Sequence, residues 1–177
     1  MGKISSYMET RPFLMPVVVG FLLLPDDKVL LGLRKSVSLG LGKNLISGIG
    51  GKVGDQENLK GETCDDALIR EFKEEIRINL LQFRKMAEIT FLFPSKPKWN
   101  QSAVAYLIND WEGDPKETDS IKPQVFSQAS LPIDQMWDDN QYWVPLILEN
   151  KQVRGTFLYG KGNSNVIAHE VEIASFS

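Results

Sequence analysis

Residues Arg70–Ile76 read REFKEEI. Three carboxylates, Glu71, Glu74 and Glu75, fall within five positions of a 177-residue chain whose formal net charge is only −3. The residues ahead of them, ETCDDALI, predict a helix that starts near Thr63, with Asp65 and Asp66 in a first turn where the helix dipole favours negative charge. At about 100° per residue, positions 71, 74 and 75 share an arc of roughly 100°. Leu68, Ile69, Phe72 and Ile76 are expected on a different arc that faces the core. No base lies three or four residues after any of the acids on their own arc. Like charges at such spacings cost roughly 0.2–0.5 kcal/mol per pair, which a solvated surface tolerates. On this helix alone, an exposed acidic face and a cation-holding site remain equal readings.

The segment upstream separates them. Residues 48–53 read GIGGKV, with three glycines in four positions. Glycine permits close backbone approach, and main-chain groups there can meet a metal or a phosphate. Glycines, then Glu62, then Arg70-Glu71 and Glu74-Glu75 form an uncommon series. It resembles the Nudix hydrolase signature, G-x5-E-x7-R-E-U-x-E-E-x-G-U with U apolar, which Gly51, Glu62, Arg70, Glu71, Phe72, Glu74, Glu75 and Ile78 match. Two departures stand out. Gly51 and Glu62 are separated by ten residues instead of five, so GDQENLKG (54–61) is expected to be an exposed loop carrying an insertion. Arg77 replaces the late glycine, so the helix must end without its usual left-handed residue.

The resemblance implies a single-domain α/β/α sandwich with a mixed central sheet over residues 13–177; residues 1–12 carry no clear period and are expected to be a loose N-terminal extension. It implies hydrolysis of a nucleoside diphosphate linked to a further group, with Mg²⁺ as cofactor and Mn²⁺ able to substitute. Mg²⁺ takes oxygen ligands and commonly bridges carboxylates to phosphates. Glu71, Glu74, Glu75 and the Gly50 carbonyl would supply those ligands. Glu74 or Glu75 would accept the proton of the attacking water, a choice the sequence leaves open. Arg70 would orient Glu71 or its neighbours through charge-assisted hydrogen bonds. Arg34 and Lys52 are candidate phosphate contacts, with ordinary surface charge as the alternative for each.

Segments beyond the signature, among them VLLGLRK, ITFLF, MWDDNQYWVPLILENK and RGTFLYG, resemble the Nudix subgroup that hydrolyses oxidised purine nucleoside triphosphates such as 8-oxo-dGTP. On that resemblance Trp137 would stack on the purine, Phe91 and Trp143 would line the pocket, and Asp139 and Asn140 would meet the base edge. Plain core packing is the competing expectation for both tryptophans. Ser47 and Asn140 stand where the subgroup carries asparagine and aspartate, which alters the donors and acceptors offered to the base. Dinucleotide polyphosphates, nucleotide sugars, RNA ends and a non-catalytic nucleotide-binding module remain open as alternatives.

The rest of the chain sets limits. Apolar residues make up 42% and charged residues 24%, as in a compact globular domain. The negative net charge disfavours general nucleic-acid binding. No apolar run approaches the roughly 20 residues of a membrane span. The single cysteine, Cys64, excludes an internal disulfide, and with no secretory signal pattern a cytoplasmic location is expected. One histidine, His169, on an alternating strand reads as structural. Strands are expected at 15–24, 28–35, 86–93, 102–110, 123–129, 154–160 and 165–174. A Gly- and Ser-containing loop is expected over 36–44, and a helix over 142–150 with Pro145 near its first turn.

Overall fold

The computed structural model describes residues 2–35, 45–54 and 56–176, so the loop expected over 36–44 lies outside them. Strands β1 (Met15–Leu24) and β2 (Lys28–Arg34) form an antiparallel hairpin. Its turn holds Asp26 and Asp27 at φ 62° and 54°, a region aspartate tolerates better than most side chains. β3 (Ile46–Ser47) pairs with β2, and β4 (Ile49–Lys52) pairs with β1. After helix α2 (Cys64–Ile76) come β5 (Asn79–Leu92), β6 (Gln101–Glu112) and β7 (Ile121–Ser127). Helix α3 (Asn140–Leu148) precedes the closing hairpin of β8 (Val153–Tyr159) and β9 (Val166–Ile173).

The sheet runs β3-β2-β1-β6-β5-β8-β9, with β4 against β1 and β7 against β2. It is mixed, because β1–β6 and β5–β8 are parallel and the other pairs antiparallel. Along β1 the period of two sends Val18 and Leu22 to one face and Phe21 to the other. On the first face they meet Ala67, Leu68, Phe72 and Ile76 of α2. On the second, Phe21 meets Trp143, Val144 and Ile147 of α3. The chain is therefore the α/β sandwich that the sequence predicts.

One feature of β1 positions the site. Its residues 22–24 pair with β2, while residues 17–20 pair with β4 on the same edge. That fork lays Gly50 and Gly51 across from Val19 and Val18, directly beneath α2.

Four expectations change. Residues 3–8, expected to be loose, form a short helix, α1, whose Ile4 is buried with Leu92 and Leu158 and whose Tyr7 hydroxyl accepts a hydrogen bond from Asn100. β5 starts at Asn79 and not near Met86, because register shifts around Gln82 and Lys85 break the alternation that would reveal it. Pro145 lies in the second turn of α3, since that helix begins at Asn140. Ile69 is 38% exposed, and Ala67 takes its place in the buried arc.

Candidate active site

Thr63 caps α2, its hydroxyl accepting the backbone N–H of Asp66 at 3.1 Å. The helix ends at Arg77, which adopts φ 64° and ψ 36°, so the left-handed turn forms there without glycine. Between these ends, Arg70 organises the acids. Its Nε and Nη2 donate to both oxygens of Glu62 at 2.6 and 3.1 Å, and Nη2 also reaches the Lys52 carbonyl at 3.0 Å. Its Nη1 donates to Glu71 at 3.1 Å and to Glu74 at 3.3 Å. The guanidinium holds the Glu62 carboxyl below its ordinary range, and Gly54 N–H adds a bond to it at 2.9 Å. That last contact ties the two ends of the inserted loop together. Within the loop, Glu57–Leu59 make one 3-10 turn.

The glycines opposite α2 are required by space. A Cβ on Gly50 would lie 1.9 Å from the Val18 carbonyl oxygen. One on Gly51 would lie 2.3 Å from a carboxylate oxygen of Glu71. The missing Cβ at Gly51 lets Glu71 fold down against β4, where it is 8% exposed and burial pushes its carboxyl upward despite Arg70. Glu75 is also raised by burial, opposed by the charge of Arg34. Its Oε2 is buried without a hydrogen-bond partner among the described residues. Arg34, at the end of β2, donates from Nη2 to the Gly50 carbonyl at 3.3 Å.

These groups face a cavity of about 560 Å³. Every candidate taken from the sequence borders it: Gly50, Arg70, Glu71, Glu74 and Glu75, then Arg34, Ser47 and Lys52, and finally Phe91, Trp137, Asp139, Asn140 and Trp143. Aromatic rings build the far wall. Phe93 stacks on Tyr159 at 4.5 Å between centroids and meets Trp99 and Trp137 edge-on at 5.6 and 6.0 Å. Phe91 stacks on Phe157.

Asp139 closes the bottom of this wall. It is 2% exposed, and its carboxylate accepts from the Trp143 indole at 2.7 Å, from Asn140 Nδ2 at 3.3 Å and from the Tyr159 hydroxyl. Burial still pushes its carboxyl up to about 6. Trp143 is itself core, 2% exposed and edge-on to Phe21, so the packing expectation and the pocket expectation both describe it. Asn140 Nδ2 also donates to the Trp137 carbonyl at 3.2 Å.

Residues 14–147 match the NUDIX domain family. The chain belongs to the Nudix family. Over 151 residues it is 31% identical to the oxidized purine nucleoside triphosphate hydrolase of Danio rerio, covering 85% of this chain and 90% of that one. The mouse enzyme of the same name is 31% identical over 156 residues, covering 88% and 94%. Among solved structures, the MutT protein from Bacillus halodurans superposes with a TM-score of 0.73 at 18% identity, over 90% of this chain and 98% of that one. The glycines, Arg70 and the acids described above all lie within the residues that match the family.

Sequence reading overlooked part of the site. Glu62 was matched to the box, but its clamp on Arg70 depends on a fold across the inserted loop. Gln56, from that insertion, and Phe93, Trp99 and Gln101 also border the cavity. Trp99 had a signal, since KPKWN joins charge to an aromatic ring, but a turn's direction is set by tertiary contacts. His169 stacks on Tyr142 at 4.2 Å outside this cavity, and Cys64 packs at the start of α2.

Proposed function

We propose that this Nudix hydrolase is a Mg²⁺-dependent pyrophosphohydrolase of oxidised purine nucleoside triphosphates such as 8-oxo-dGTP, releasing the nucleoside monophosphate and pyrophosphate. The observation that carries this reading is the shared cavity: box carboxylates on one side and an aromatic wall with a buried polar floor on the other. A triphosphate and a purine need those two environments side by side. The names of the fish and mouse relatives point the same way.

The residues fit a hard divalent cation. Their donors are all oxygens, the Glu75 Oε2 is buried and unpartnered among the described residues, and the Gly50 carbonyl is reached by a cationic group. Among the described residues no three acidic side chains form a closed cage. The Glu74 side chain is 58% exposed. An open, partly solvated set of carboxylates suits Mg²⁺, which keeps water and phosphate oxygens among its ligands. Glu71, Glu74, Glu75 and the Gly50 carbonyl would hold it. Bound there, it would neutralise phosphate charge and lower the pKa of a water.

The remaining work falls to the chain. Arg70, fixed by Glu62, holds Glu71 and Glu74 in place. Glu74 or Glu75 accepts the proton of the attacking water. Lys52 and Arg34 meet the phosphates. Trp137 offers its ring to the purine, while Asp139 and Asn140 shape the floor and Ser47 borders it.

A steady-state screen tests the reading. It would cover oxidised and unmodified nucleoside triphosphates, dinucleotide polyphosphates, nucleotide sugars and capped RNA ends, each with Mg²⁺ and with EDTA. The expected result is the highest kcat/KM on an oxidised purine triphosphate, with pyrophosphate as product and no turnover in EDTA. Orthophosphate release, preference for another class, or binding without turnover would each refute it.

A further inference from the structure

The two arginines beside the box acids are held very differently. Arg70 makes five hydrogen bonds, to Glu62, Glu71, Glu74 and the Lys52 carbonyl. Arg34 makes one side-chain bond among the described residues, to the Gly50 carbonyl, at the long distance of 3.3 Å. Its backbone is fixed, because Arg34 N–H donates to the Leu45 carbonyl at 3.0 Å and β2 pairs with β7 there. The base of the side chain is anchored and its guanidinium is lightly held. Its charge acts on Glu75, whose Oε2 has no hydrogen-bond partner among the described residues. The neighbouring Lys35 is committed elsewhere, paired with Glu117 at 2.8 Å.

We propose that the Arg34 guanidinium and a divalent cation compete for the Gly50 carbonyl–Glu75 position, and that a triphosphate draws the guanidinium off it. This rests on the reading of the box as a site for a divalent cation and a triphosphate. Two cations cannot share one carbonyl oxygen and one carboxylate without repulsion in a partly buried place. A guanidinium binds phosphate oxygens through a planar fork of N–H donors, and each such bond is stronger than a single long bond to a neutral carbonyl. Moving Arg34 from Gly50 to a phosphate therefore strengthens its own bonds, frees the Gly50 carbonyl and takes a competing positive charge away from Glu75. Arg34 acts here through its own contact with substrate: it makes the cation site most available when substrate is present.

The consequence is a pair of effects of opposite sign. In the full chain without nucleotide, Mn²⁺ binding is measured by electron paramagnetic resonance. Separately, binding of inorganic tripolyphosphate is measured by calorimetry in EDTA. Arg34→Ala should bind Mn²⁺ about five- to tenfold more tightly, a coupling of ordinary size for linked sites. The same variant should bind tripolyphosphate about tenfold more weakly. Arg34→Gln removes the charge while keeping length and polarity, and should repeat both shifts if the alanine variant folds poorly. Arg34→Lys keeps the charge and should stay near the wild-type Mn²⁺ affinity.

A purely structural role would lower both affinities or leave both unchanged, and either result overturns the exchange. Tighter Mn²⁺ with unchanged tripolyphosphate also overturns it, as does the reverse. Failure of the functional reading looks different: wild-type protein would then bind neither probe.

Discussion

Asp139 gives the sharpest quantitative test of the site's construction. Its carboxyl sits near 6 in the folded protein against an ordinary value of 3.8, and burial is the largest cause. Between those values the native state holds a proton that the unfolded chain has released. Stability therefore falls as pH rises from about 4 to about 6 and is level beyond, once both states are ionised. The two values differ by about two pH decades, each worth 1.36 kcal/mol, so the loss is on the order of 3 kcal/mol. Asp139→Asn keeps the shape and the acceptor for the Trp143 indole but cannot ionise. It also turns an amide toward Tyr159, whose hydroxyl already accepts the backbone N–H of residue 139 at 3.3 Å. The tyrosine proton then loses its carboxylate, at a cost of about 1–3 kcal/mol. The absolute stability of the variant is thus pulled both ways, and its pH dependence is the clean readout. Urea unfolding of both proteins from pH 4 to pH 7.5 should show the gap moving in the variant's favour by about 2–3 kcal/mol as pH rises. Other titrating groups are common to both chains and cancel. A gap constant to within about 0.5 kcal/mol would refute the claim that Asp139 is charged at a cost in this wall.

Three further outcomes are expected. Glu71→Gln and Glu75→Gln should each fold normally and lose at least about 100-fold in kcat, the scale of lost charge stabilisation; near wild-type Mg²⁺-dependent turnover in either would remove that carboxylate from the assignment. Arg77→Gly should raise stability by about 0.5–1 kcal/mol in urea, because Arg77 holds φ 64° at the end of α2 and a left-handed side chain costs more than glycine's extra freedom; a destabilised variant would mean that the arginine side chain contributes what the backbone loses. Deleting residues 56–60 should preserve folding, since the Gly54 N–H bond to Glu62 already closes the loop at its base; circular dichroism showing an unfolded chain would contradict its reading as an insertion.

The legible parts of the sequence were those where local rules and tertiary structure agree. The β1–β2 hairpin follows from two apolar runs around PDD, and its observed bounds are within a residue of the expected ones. The start of α2 follows from its cap and first-turn acids. What was hidden depends on distant partners. The first half of β5 carries bulges, so its side chains lose the period of two. Asp139 was expected to meet a base edge, and that three donors reach its carboxylate, one of them Tyr159, twenty residues later on β8, could not be read from its local motif. Helix α1 lacks a strong pattern of its own and is held by Ile4 inserting beside Leu92 and Leu158.

The acid run itself shows why spacing alone left two readings open. Taking Ala67 as zero and about 100° per residue, the buried residues Ala67, Leu68, Phe72 and Ile76 span roughly 0° to 180°. Glu71 falls near 40° and Glu75 near 80°, in the middle of that span, while Glu74 falls near −20°, at its edge. The acids do not occupy a separate solvated face; two of them point toward the sheet. A sheet covered by ordinary side chains would reject them, because burying an uncompensated carboxylate is costly. Gly51 removes that obstacle: the space its Cβ would fill is taken by Glu71. Arg70 then compensates Glu71 directly, and Arg34 faces Glu75 through space. Glycines on β4 and acids on α2 therefore belong to one steric and electrostatic solution. Replacing Gly51 should disturb the acids before it disturbs the sheet, with Gly51→Ala forcing Glu71 out of its 8% exposed position, whereas a Cβ on Gly50 would meet the β1 backbone at Val18.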